Sequence, residues 1–169
     1  MKENNKVTEL DIFKAIYFKY NTKAFNAVCP HVSIGTMWGV GKDESVRRID
    51  ALVMEKTGKT TCFEIKVSKQ DFLNDVNNPD KQKLWREHSD FFYYVVHIDM
   101  VEYCKDKLPK GFGLMSYSFE YAWPDLWVVK RSIRNKEKKP LPDQVMYRVL
   151  KQAGSYYSQL KGKIEIYNV

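Results

Sequence analysis

Apolar and polar residues alternate along two neighbouring stretches, which predicts a β-hairpin in the first half of the chain. Ile49, Ala51 and Val53 alternate with Asp50, Leu52 and Met54, and Phe63, Ile65 and Val67 alternate with Cys62, Glu64 and Lys66. A period of two marks strands. Lys56-Thr57-Gly58 is the connecting loop, and its glycine supplies the left-handed conformation that closes such a turn. With Thr57 at the centre, position 50 faces position 64, and cross-strand partners share a face with Cβ atoms roughly 5 Å apart. Lys66 lies on that face at the strand's exposed end.

The pattern changes to a helical period on either side. Thr8 and Asp11 form a capping box with Val7 stapled on Ile12, so a helix starts there, and Leu10, Phe13, Ile16, Tyr17 and Tyr20 mark its apolar stripe. Residues 26–34 read as a first strand, placed at an edge by Pro30, and 35–44 as a glycine-rich loop. Ser68 with Asp71 starts a short helix over 69–76, and Pro79 opens another over 80–88. Phe91 to Val96 is an unbroken apolar run, the mark of a strand covered on both faces. Asp99 caps a helix to Lys107, 109–113 turns the chain, and 114–121 with 126–130 form a closing hairpin through Trp123-Pro124. Val145, Val149 and Ala153 are spaced to dock a last helix, 143–160. Strands and helices in this order predict a mixed α/β sheet.

The hairpin also carries candidate chemistry. Two adjacent carboxylates repel each other, and a hard divalent cation between them relieves that repulsion. Mg²⁺ or Mn²⁺ commonly takes one or two protein carboxylates and fills its other positions with water and phosphate oxygens, so Asp50 and Glu64 can form the protein half of a phosphodiesterase site. Lys66 then orients or helps deprotonate a water and offsets charge on the phosphate. The alternative is an ordinary solvated hairpin face, with Lys66 paired to either acid.

The words around these residues resemble a known family. An Asp on one strand and (Asp/Glu)-x-Lys on the next is the signature of the PD-(D/E)XK nuclease superfamily, matched by Asp50 and Glu64-Ile65-Lys66, with Ile49 where the signature has Pro. Arg47-Arg48-Ile49-Asp50, the run from Glu64 to Asp75, Ser89 to Val96 and Leu108 to Leu114 are similar in order and spacing to the MmcB family of putative DNA-repair proteins. The resemblance spans about residues 8 to 131 and implies a restriction-endonuclease-like mixed sheet flanked by helices. It also implies a metal-dependent nuclease or nuclease-like DNA-processing protein, with Mg²⁺ or Mn²⁺ on Asp50 and Glu64. In that superfamily an acid of the first helix often completes the metal site, which makes Glu9 a candidate catalytic residue. A non-catalytic nucleic-acid-binding module on the same fold is the other reading. Residues 1–131 are then a nuclease-like core, 132–142 a basic linker and 143–169 an added C-terminal helix and tail.

Composition narrows the partner. A net charge of +7 and pI near 9.2 favour a polyanion, DNA foremost. Arg47 and Arg48 at the strand start, Ser68, Lys69 and Gln70 at the following helix N-terminus, and Lys81, Gln82 and Lys83 on the next helix are candidate contacts to it. Residues 130–139 are strongly basic and read as a solvated, flexible run that can clamp a nucleic-acid backbone. Three widely spaced cysteines do not make a disulfide framework, and Cys29-Pro30-His31, lacking a second ligand pair for zinc, reads as a loop. With no long apolar run and no signal-like start, a cytoplasmic protein without a membrane partner is expected. The oligomeric state stays open, a homodimer included.

Overall fold

The computed structural model describes residues 7–21, 26–35, 46–121 and 123–152. Six strands form one mixed sheet whose spatial order is the chain order: β1 (Asn26–Ile34), β2 (Arg47–Glu55), β3 (Thr60–Lys66), β4 (Phe91–His97), β5 (Gly113–Tyr121) and β6 (Trp123–Lys130). The three central strands β3, β4 and β5 run parallel, and β1, β2 and β6 pair antiparallel with their neighbours. Helices α2 (Lys69–Val76) and α3 (Asp80–Glu87) make the crossover between β3 and β4, as a parallel connection requires.

Side chains alternate strictly along the central strands and define two cores. Phe63, Ile65, Val95 and Met115 face helix α1 (Glu9–Asn21), which contributes Ile12, Ala15 and Ile16. Cys62, Phe92, Tyr94, Val96 and Leu114 face Phe72 of α2, Trp85 of α3, Cys104 of α4 (Val101–Lys105), and Val145 and Val149 of α5 (143–152). The result is a helix–sheet–helix sandwich of mixed α/β class with a C-terminal helix.

Local signals explain the elements and several displacements from expectation. The Thr8 capping box is complete: the Thr8 amide donates to Asp11 Oδ2 at 3.0 Å and the Asp11 amide to Thr8 Oγ1 at 3.3 Å. The buried stripe of α1 is centred on Ile12, Ala15 and Ile16, with Phe13 and Tyr20 packed partly buried beside it, whereas Leu10 and Tyr17, expected on it, are exposed. Gly58 closes the hairpin at φ 78°, its amide donating to the Glu55 carbonyl. His97, not Asp99, caps the turn after β4, since its Nδ1 accepts from the Asp99 amide, and the helix ends at Lys105. Trp123 and Pro124 belong to β6 rather than to the turn, which is tighter than expected because Tyr121 already pairs with Trp123. Cys29-Pro30-His31 is strand, not loop. The expected 35–44 loop, apart from Gly35, lies outside the described residues, as does α5 beyond 152, with Ala153.

The basic run after β6 is irregular in backbone yet tied down. Arg134 and Lys138 both reach the buried carboxylate of Asp90, at 3.1 and 2.7 Å, and Lys139 pairs with Glu87 at 2.6 Å. Backbone bonds from Ile133, Asn135 and Lys139 to Gly111, Asp90 and Glu87 hold it as a strap. Asp90 needs these cations because it is buried beside the Thr60 amide, and an unpaired buried charge is costly. Among the described residues no helix is long and apolar enough to cross a membrane.

Candidate functional site

The acidic cluster is built where β2 leaves β3. The β2–β3 ladder runs from Met54↔Thr60 to Ala51↔Phe63, the register that makes 50 the next partner of 64. Asp50 does not stand beside Glu64 as a regular continuation of the ladder. Its Oδ2 instead accepts the Ile65 amide at 2.8 Å, taking the place of a backbone acceptor. Alternation along β2 breaks at this residue, since Ile49 and Leu52 share a core although three positions apart. Opposite, the β1–β2 register passes from Pro30↔Ala51 to Val32↔Ile49, so His31 is the residue facing Asp50, and its φ is 48°. β1 thus turns a histidine, not a core side chain, toward Asp50.

Glu64 and Lys66 lie on the α2–α3 face of β3, which is covered, not solvated. Asp50, Glu64 and Lys66 are 9%, 7% and 6% exposed, which rules out a solvated face, although the pairing of Lys66 with an acid that this alternative expected is present, and corrects the expectation that Lys66 stands at an exposed strand end. Lys66 Nζ donates to Glu64 Oε1 at 2.8 Å and lies 3.8 Å from Asp75 and 3.7 Å from Asp71. Asp75, buried on the last turn of α2, accepts Gln82 Nε2 at 2.9 Å and the Tyr94 hydroxyl at 3.0 Å, and Lys81 Nζ is 3.3 Å from it. Two orphans remain in this dense network: Glu64 Oε2 and Gln82 Oε1 are buried with no hydrogen-bond partner among the described residues.

The electrostatics follow from burial. Glu64 is pushed up to about 8, first by loss of water and then by Asp50, with Lys66 pulling the other way. Asp50 is raised by burial and by Glu9, against the Ile65 amide, Lys66 and His31. Burial disfavours the Lys66 ammonium, but Glu64, Asp75 and Asp71 outweigh it and hold its pKa above the ordinary lysine value. Counting Glu9 and Asp71 at the rim, acids outnumber lysines five to two among the described residues. A basic chain therefore carries an acid-rich, cation-deficient centre, and buried carboxylates of this kind are stable when paired or metal-bound.

The expected residues distribute around this centre unevenly. Glu9, in the first turn of α1, comes to Asp50 from the opposite face, and its carboxylate, a His31 ring nitrogen and an Asp50 oxygen lie within 4.8 Å of one another. Lys81 and Gln82 reach the cluster through Asp75, whereas Lys83 is exposed. Ser68 caps α2, its Oγ accepting the Asp71 amide at 3.1 Å; Lys69 and Gln70 beside it are exposed, Lys69 lying over the Tyr103 ring. Arg48 is exposed two residues before Asp50, and Arg47 is half-buried with its carbonyl taking the Trp85 indole. Sequence reasoning missed His31, Asp75 and Tyr94. For Asp75 a signal existed: it sits one turn after Asp71 on the helix that starts directly behind Lys66.

Oxygen donors at Asp50, Glu64 and Glu9, one of them orphaned and buried, fit a hard divalent cation. No family model matches the chain, and no curated protein matches it. Among solved structures, the fold is similar to that of SPO1766, a protein of unknown function from Silicibacter pomeroyi, with a TM-score of 0.56 and 18% identity over 88% of this chain and 85% of that one. At that identity the likeness shows the mixed α/β fold.

Proposed function

We propose that the chain is a metal-dependent phosphodiester hydrolase acting on nucleic acid, with DNA as the substrate class, of the PD-(D/E)XK kind that its sequence resembles. The observation that carries this reading is the buried Glu64 oxygen that has no hydrogen-bond partner among the described residues, on a carboxyl that feels both Asp50 and Lys66. A structural hairpin gains nothing from burying two acids and a lysine, because desolvation costs several kcal/mol per ion and apolar residues of similar size would pack as well.

Asp50 and Glu64 would hold Mg²⁺ or Mn²⁺, with Glu9 at the rim. A bound divalent cation supplies charge for the phosphate oxygens and a more acidic water. Lys66, kept an ammonium by three carboxylates, acts as a donor: it orients the attacking water and stabilises charge on the phosphate. Asp75 holds that ammonium, and is itself fixed by Tyr94, Gln82 and Lys81. The exposed N-terminus of α2, with Ser68, Lys69 and Gln70, offers amide and cationic contacts to the substrate backbone.

The test is incubation of the purified chain with linear and branched DNA and with RNA, in Mg²⁺, Mn²⁺ or EDTA. Cleavage that needs metal and is lost in Asp50→Asn and Glu64→Gln supports the reading. Metal and DNA binding without cleavage of any substrate would instead favour the non-catalytic binding module.

A further inference from the structure

Three elements converge on one small volume at the rim of the sheet. The capping box at Thr8 starts α1 so that Glu9 lies in its first turn, and the β1–β2 register sets His31 opposite Asp50. His31 Nδ1 is 4.0 Å from Glu9 Oε1, too long for a hydrogen bond, and each of the three residues places a ligand atom within 4.8 Å of the others. Donors around a six-coordinate cation with bonds near 2.1 Å are about 3 Å apart when adjacent and about 4.2 Å when opposite. Closing the trio onto an ion therefore takes shifts of under about 1 Å. Glu9 and His31 are about half exposed, so their side chains have room to move and an ion can enter. Glu64, whose charge acts on Asp50, has a buried Oε2 with no partner among the described residues, a second and independent sign that the acids here are short of a cation.

The donor set is not the all-oxygen one of Asp50 and Glu64. Imidazole nitrogen is a softer donor than carboxylate; affinity for a nitrogen-containing site rises along the first-row divalent ions starting from Mn²⁺, whereas Mg²⁺ keeps to carboxylate, water and phosphate oxygens. We propose that His31 is a ligand of the divalent-cation centre together with Glu9 and Asp50, and that this nitrogen makes the site select Mn²⁺ over Mg²⁺. The inference rests on the reading of Asp50 as a metal ligand.

The experiment uses the full chain and reads metal binding, not cleavage. Mn²⁺ is titrated by electron paramagnetic resonance and Mg²⁺ by calorimetry, with the parent, His31→Ala and Asp50→Asn, each checked for an unchanged far-UV spectrum. His31 is half exposed on an edge strand, so its truncation leaves no core cavity. The parent should bind Mn²⁺ at least about 10-fold more tightly than Mg²⁺, and His31→Ala should lose about 10-fold or more in Mn²⁺ affinity but under about 3-fold for Mg²⁺. A nitrogen hyperfine coupling on bound Mn²⁺ should be present in the parent and absent in His31→Ala. Unchanged Mn²⁺ affinity and coupling in His31→Ala overturns the proposal. If Asp50→Asn nevertheless abolishes binding, the carboxylate site survives and only the histidine's role falls. If Asp50→Asn also binds Mn²⁺ as the parent does, both readings fall together.

Discussion

Glu64→Gln should stabilise the metal-free protein in mild alkali, although it removes a proposed metal ligand. Glu64 is held near 8 in the folded chain against 4.5 ordinarily. Between those values the folded state binds one proton more than the unfolded state. Its contribution is therefore complete below pH 4.5 and is lost as pH rises through about 8, at about 1.4 kcal/mol per pH unit within that window. The whole window corresponds to roughly 5 kcal/mol at most. Glutamine keeps the shape and lets Lys66 donate to its carbonyl, but forgoes the attraction between charges, so a net gain of about 1–3 kcal/mol at pH 8.5 is expected. For a chain of this size that is roughly 3–9 °C in Tm. Calorimetry in EDTA from pH 5 to 9 measures it: the parent's Tm should fall relative to the variant's as pH rises, and the gap should close near pH 5. Mn²⁺ at about 1,000 times the parent's Kd should narrow or reverse the gap at pH 8.5, because it stabilises the parent by about 4.1 kcal/mol and the variant, short of one carboxylate, by less. A gap that does not change with pH, or a variant less stable at pH 8.5, would refute the placement of a buried, proton-retaining carboxyl at 64.

Lys66→Ala should lower single-turnover cleavage by about 10²-fold or more while leaving metal binding measurable, and it should also cost about 3 kcal/mol of stability in denaturant titration, because the ammonium is buried between three acids; parental cleavage would make Lys66 a structural partner only. Gly113→Ala should destabilise by about 1–3 kcal/mol, since a Cβ there would sit 2.3 Å from the Tyr93 ring and 2.7 Å from the Ser132 amide; an unchanged unfolding midpoint would contradict that close approach. DNA affinity should fall with salt at a log–log slope of about 0.9 per phosphate neutralised. Replacing Arg131 and Lys136, which make no ion pair among the described residues, should flatten that slope, whereas replacing Lys138 should lower Tm instead; a slope near zero in the parent would remove the polyanion from the argument.

The parts of the fold that were legible in the sequence are those encoded by neighbours in the chain. The hairpin register follows from loop parity, α1 and α2 from their caps, and the interior place of β4 from its unbroken apolar run. Asp50, Glu64 and Lys66 are close in sequence, and so their convergence was readable. The contribution of His31 was not, because it depends on the β1–β2 register and on a local backbone turn at φ 48° that no short pattern announces. Asp75 and Tyr94 meet only after a parallel crossover places β4 beside β3. The basic run was misread as flexible for a similar reason: its anion, Asp90, lies more than forty residues upstream, and a charge run looks unpartnered until its partner is placed.

The coincidence of strand order with chain order bears on how the protein is made. As the chain leaves the ribosome, each strand finds its template already in place, since β2 lays against β1, β3 against β2, and so on to β6. No finished pair must separate to admit a later strand. By the time β4 has emerged, every side chain of the acidic centre, from Glu9 to Tyr94, is outside the tunnel, while the strap that fastens to Asp90 and α5, which joins the same core as α2 and α3, are still being synthesised. The centre can therefore assemble on a four-stranded intermediate whose open edge is β4, the most apolar strand of the sheet. That edge is the point of greatest exposure to aggregation during synthesis, and β5, directed to it by the turn at Pro109 to Phe112, closes it within about twenty residues of further growth.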